Sequence, residues 1–169
     1  LETFVARTTQ MLPEGDTRND ILVLAGDIFN GTKSLLWGGH SWMECVAERF
    51  CHVIVVLGNH DYWKNQLPAL HKRYRETIDD LNLPNVSILH NGDWATVDDI
   101  AFIGGTLWTD MDKDSPIAVT AAPSLMNDYR YIRDERYRKI KPYQTINEHY
   151  RTKGNIFYLC KQFEALGNK

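Results

Sequence analysis

An α/β fold built on parallel strands is what this sequence predicts, and two observations carry that prediction. Ile21–Ala25 (ILVLA) and residues 53–57 (VIVVL) are continuous apolar runs rich in branched side chains. Runs of this kind fit strands buried on both faces of a sheet. Between them, residues 32–50 read as helical, with a weak point at Gly38-Gly39. A strand, a helical crossover and a second strand make a parallel pair joined by a right-handed connection.

The later elements follow in order. Residues 68–83 read as a second helix, 86–89 as a short strand, and Asn91-Gly92 as a turn. Residues 94–97 and 100–103 pair as a hairpin, which Gly104-Gly105 ends. Residues 115–142 are the least regular part: polar, aromatic and charged. Residues 144–166 return to helix, with Ile156, Leu159, Cys160, Phe163 and Leu166 on one apolar stripe. There is no internal repeat and no low-complexity linker.

Composition narrows the class. A length of 169 residues suits one domain, taken as 1–169. Hydrophobic residues at 43% with charged residues at 24% argue against disorder. The formal charge of -3 calls for neither nucleic acid nor an acidic membrane as partner. Cys45, Cys51 and Cys160 show no C-x-x-C spacing, so they read as reduced thiols and favour a cytoplasmic protein. No apolar stretch approaches the ~20 residues of a membrane span.

Both buried strands end in glycine followed by polar residues: Gly26-Asp27 after the first, Gly58-Asn59-His60-Asp61 after the second. Sites in open α/β sheets form at the carboxyl ends of strands. Two neighbouring strands therefore deliver Asp27, Asn59, His60 and Asp61 to one edge. A carboxylate is a hard oxygen donor able to bridge two cations, and an amide oxygen is a neutral donor. Imidazole ligates a metal or moves a proton near neutral pH. Gly-Asp alone is a common turn pair. A chance Gly-Asn-His-Asp in a chain this long is roughly one in a thousand. The plain alternative is a polar turn with Asp61 as a helix cap.

The pair Gly26-Asp27 and Gly58-Asn59-His60-Asp61 is similar to the second and third signature motifs of the calcineurin-like metallophosphoesterases. Residues 105–109 (GTLWT) and 126–130 (MNDYR) also resemble segments of bacterial members. The resemblance implies an α/β/β/α sandwich with mixed sheets. It implies hydrolysis of a phosphomonoester or phosphodiester by water activated between two divalent ions, manganese, iron or zinc. Asp27 is then the bridging ligand, Asn59 a ligand to one metal, and His60 the general acid, with Asp61 orienting its imidazole. The family's opening Asp-x-His and its later His and Gly-His-x-His motifs are absent from these residues. The expectation is a piece of a longer polypeptide. The alternative is a non-catalytic binding or scaffold module that keeps the fold without a full metal site. A nucleotide-binding domain is a third reading, weakened because no G-x-G-x-x-G or Walker-type loop follows a strand.

Other residues carry secondary expectations. Asn30 either hydrogen-bonds a metal ligand or caps the following helix. Residues 129–141 hold six cations among three tyrosines. They read as a solvated helix, as a lid placing Arg130 or Arg133 by the substrate phosphate, or as a single-stranded nucleic-acid surface. Tyr62 and Trp63 are expected to wall the pocket, with packing the equal alternative for Trp63. His40, His71 and His149 read as surface or structural residues, and His52 as part of a connection. His90 precedes a turn.

Overall fold

The computed structural model describes residues 12–29 and 42–167. Strands β1 (Ile21–Ala25), β2 (His52–Val56) and β3 (Val86–Leu89) form one parallel sheet in the order β1-β2-β3. Ile21 pairs with His52, and Val53 with Val86. Helix α1 (Trp42–Arg49) leads into β2, and α2 (Leu70–Asp80) into β3. Parallel neighbours need such crossovers. Of the expected helix at 32–50, the described part is seen as α1, and residues 32–41 lie outside the described residues. Asn30, Gly38, Gly39 and His40 lie outside the described residues, as do Leu1 and Glu2.

Side chains alternate across this sheet, as the two-residue period of a strand dictates. Val53, Val55, Val86 and Ile88 face α1 and α2, in one core with Met43, Val46, Leu70, Tyr74 and Ile78. Ile54 and Leu89 face the other way and pack with Val97. Val97 belongs to an antiparallel hairpin, β4 (Asp93–Val97) and β5 (Ile100–Gly104), which forms a second sheet. Asn91 and Gly92 turn the chain from β3 to β4 with φ of 52 and 84. Helices α3 (Pro116–Leu125), α4 (Asp128–Tyr131) and α5 (Pro142–Gly167) follow. Phe163 on α5 meets the outer face of the hairpin at Trp94, edge-on with ring centroids 5.5 Å apart. The layering is helix, sheet, sheet, helix. Among the described residues no helix is long and apolar enough to cross a membrane.

Several expectations need correction. β2 is buried on both faces, but β1 is not: Val23 is 50% exposed. β1 lies at the edge of the described sheet, and the hairpin covers Ile54 and Leu89 rather than Val23. The irregular stretch 115–142 contains helix α3, started by Pro116 at its first turn, a position where proline's fixed φ favours the helix. It hides from periodicity because its apolar residues Ile117 and Leu125 are 82% and 79% exposed. The stripe on α5 is covered only in part, since Cys160 and Leu166 are exposed. Met111–Asp114 is a single turn whose four φ values lie between 52 and 62, so it is left-handed. Tyr62 is wholly buried in the core rather than lining a pocket.

The histidines also move. His52 bonds Ser87 across the sheet at 2.9 Å. His71 on α2 stacks face to face on His90 at the end of β3, with centroids 3.7 Å apart and planes 12° apart. Arg75 stands beside them, bonded to Asp93 and to the carbonyl of Ile88. Burial lowers the basicity of both rings, and the charge of Arg75 adds to it. His90 is pushed down to about 4.

Both rings are therefore held neutral in the fold. The contribution of His90 to stability is full above the unfolded value of 6.5 and is lost as pH falls toward 4. Allowing for partial exposure, the wild type should lose on the order of 1–2 kcal/mol more than His90→Phe across that window. Urea midpoints measured at intervals between pH 7 and pH 4.5 check this, and parallel curves for the two proteins would refute it.

Candidate functional site

The ends of β1 and β2 meet glycine to glycine. A Cβ on Gly26, whose φ is 95, would stand 3.0 Å from the Cα of Gly58. One on Gly58 would stand 2.1 Å from Asp27 Oδ1. Only glycine at 58 lets the Asp27 carboxylate lie over the second turn. Asp27 itself adopts φ 56, the left-handed region that aspartate tolerates better than most residues.

Asp61 joins the two turns from below. It is 1% exposed. Its Oδ2 accepts the backbone N–H of Gly58 at 2.7 Å and of Asp27 at 3.1 Å, and its Oδ1 accepts that of Phe29 at 2.6 Å. Burial pushes its carboxyl up to about 6, while these N–H groups pull the other way. The expectation that Asp61 orients the His60 imidazole is not met, because both its oxygens are taken by the main chain.

His60 opens a 3₁₀ turn, His60–Tyr62. Its backbone N–H donates to Asp27 Oδ1 at 3.0 Å, and its Nδ1 stands 3.4 Å from Asp27 Oδ2. The ring is half exposed and lies against Trp63, centroids 4.0 Å apart; Trp63 in turn lies 5.3 Å from Tyr131. Trp63 thus packs between His60 and Tyr131. Asn59 donates from Nδ2 to Asp128 Oδ1 at 2.7 Å. Among the described residues no donor reaches its carbonyl oxygen. Asp128, 5% exposed, also accepts the indole N–H of Trp63 at 3.2 Å.

A cavity of about 530 Å³ opens here, lined by Gly26, Asp27, Asn59, Thr106, Trp108 and Met126 among others. Thr106 Oγ1 donates to the carbonyl of Leu57 at 2.6 Å, which pins the loop after β5 to the end of β2. The carbonyl of Trp108 accepts from His149 Nδ1. His149 therefore ties α5 to the site wall and is not a free surface residue. Thr106 and Asp128 are the contributors that residue types alone did not single out. Their signal lay in the family-like segments 105–109 and 126–130.

Arg130 and Arg133 do not join this group. Arg130 donates to the carbonyl of Ser124 at 2.9 Å, and Arg133 to those of Arg130 and Ile132. Both guanidinium groups satisfy main-chain carbonyls near them in the chain, Arg130 one at the C-terminal end of α3. His90, which precedes a turn, stacks on His71 rather than on any of these residues.

Asp27 and Asn59 fit a hard or borderline divalent ion in kind, as carboxylate and amide oxygen donors. In number, two donors are fewer than such an ion takes. Among the described residues no three His, Cys, Asp or Glu side chains are grouped to hold an ion.

Comparison with known proteins agrees with this fold. The family model for the calcineurin-like phosphoesterases matches residues 2–153. An uncharacterised protein of Acanthamoeba polyphaga mimivirus is 32% identical over 126 residues, spanning 68% of this chain and 40% of that protein. The crystal structure of a phosphopantetheinyl hydrolase from Mycobacterium tuberculosis superposes with a TM-score of 0.60 at 19% identity. That match covers 91% of this chain and 57% of the hydrolase, and it establishes likeness of fold. This chain spans about half or less of the length of the proteins it matches. A family match over most of its residues shows that the chain belongs to the calcineurin-like phosphoesterases.

Proposed function

We propose that this chain, read as one domain over 1–169, is the motif-bearing part of a metal-dependent phosphoesterase that hydrolyses a phosphomonoester or phosphodiester. One observation carries the reading. The Gly26-Asp27 and Gly58-Asn59-His60 turns abut at the carboxyl ends of adjacent strands, with His60 Nδ1 3.4 Å from Asp27 Oδ2 beside an open cavity. The fold likeness to a hydrolase supports the same class of chemistry.

Asp27 and Asn59 would hold two divalent ions, manganese, iron or zinc, together with donors from outside the described residues. Bound there, such ions neutralise phosphate charge and lower the pKa of a water. His60, half exposed beside Asp27 and steadied by Trp63, would give its proton to the leaving oxygen of the ester. Asp61 holds both turns so that His60 and Asp27 stay in register. The free thiols of Cys45, Cys51 and Cys160 support a reducing, cytoplasmic setting. A second reading, a binding module with the fold but no full metal site, is favoured by the two-donor set among the described residues.

His60→Ala should lower turnover of a model phosphodiester by ~10²–10⁴ while Mn²⁺ affinity stays near that of the wild type. Asp27→Asn should weaken Mn²⁺ binding itself, as read by metal titration. An Asp27→Asn protein with full metal content and full activity would overturn the assignment of Asp27 as a metal ligand. Asp61→Ala strands three backbone N–H groups at the junction of the turns. At ~1–3 kcal/mol for each unsatisfied donor, stability should drop by at least ~3 kcal/mol. Chemical denaturation measures this, and a drop under ~1 kcal/mol would show that water or another acceptor takes over.

A further inference from the structure

We propose that Asp128 is a positioning residue: its carboxylate locks the Asn59 side chain with the carbonyl oxygen turned away from Asp128 and open to a cation. The inference rests on the metal-site reading given above. A side-chain amide carries an acceptor oxygen on one arm and a donor nitrogen on the other. Half a turn about its last torsion exchanges them, and only the oxygen is a ligand for a hard ion. An Asn at the end of a strand therefore needs something that distinguishes its two ends.

Asp128 supplies that distinction. Its Oδ1 lies 2.7 Å from Asn59 Nδ2. An ionised carboxylate only accepts, so the flipped amide would set oxygen against oxygen at that distance. The hydrogen bond is charge-assisted and short, the stronger kind. Asp128 is itself well held. It is buried, it opens α4, and its own carbonyl accepts the N–H of Ile132 at 2.9 Å. The next residue, Tyr129, bonds Thr145 of α5 at 2.8 Å through its hydroxyl.

The same Oδ1 accepts the indole N–H of Trp63, whose ring supports His60. One carboxylate oxygen thus sets the orientation of the Asn59 amide and the plane against which the His60 imidazole rests. Partners of this kind, one step removed from the ion, shift metal affinity by about 10–100-fold when removed.

The test has a metal-free arm and a metal arm. In the ¹⁵N-labelled chain without metal, the Asn59 side-chain amide should show one proton shifted downfield and slow exchange with water. Asp128→Ala should return both protons to solvent-like exchange, and Asp128→Asn, whose carbonyl still accepts, should restore most of the protection. If the wild-type amide exchanges freely, Asp128 does not lock it and the proposal is overturned, whether or not the variants fold. In the metal arm, Mn²⁺ titration followed by paramagnetic resonance should show about 10–100-fold weaker binding for Asp128→Ala. In an Asn59→Ala background the same change should shift affinity by less than about twofold. An equal loss in both backgrounds would mean that Asp128 supports the fold at large, and would overturn the proposal. A protected amide in a wild type that binds no Mn²⁺ would uphold the lock while sinking the metal-site reading, so the two failures are told apart.

Discussion

Everything at the candidate site depends on one buried carboxylate. Asp61 sits in the core, where an ionised group without partners is expensive, and three main-chain N–H groups answer it. Those N–H groups belong to two turns that follow different strands. Satisfying Asp61 therefore forces the turns into contact, and the contact is so close that both must start with glycine. The positions of Asp27 and His60 follow from that junction, and the contacts between them close it.

Around this junction the chain builds walls from pieces remote in sequence. The loop after β5 hangs from the end of β2 through Thr106 and from α5 through His149. Segment 126–131 brings Asp128 and Tyr131 against Asn59 and Trp63. Helix α5 anchors both: Thr145 takes Tyr129, while the turn at Asn91 is held by Thr152 and Asn155. A two-strand motif brings Asp27, Asn59 and His60 together, and the family's layered fold supplies the surroundings that orient them.

Much of this was legible in the residues, and what was not has identifiable causes. β2 announced itself because every residue in it is branched and apolar after His52, and the hairpin because two short segments stand between the Asn91-Gly92 turn and Gly104-Gly105. Asp27, Asn59 and His60 were legible as types at strand ends. The task of Asp61 was not, because its partners are backbone groups that every residue carries. Arg130 and Arg133 looked like phosphate ligands by composition, yet main-chain carbonyls near them in the chain take both guanidinium groups. Asp128 was invisible for the opposite reason: its partner Asn59 lies far back in the chain, and no local pattern announces a distant hydrogen bond. β1 misled through its apolar run, since an edge position and a half-covered face leave the same residue types as a central one.

The spacing of the two stabilising carboxylates has a consequence for how such a chain tolerates change. Asp61 reaches Asp27 across 34 positions, and Asp128 reaches Asn59 across 69. That is about one doubling of loop length, which adds only about 0.6 kcal/mol of closure entropy. A single charge-assisted hydrogen bond outweighs that difference. The intervening length is thus nearly free to vary. Insertions in the surface turns between Trp63 and Asp128 can lengthen the chain, change its outline and diversify what approaches the cavity, while the amide at its centre keeps the same tether.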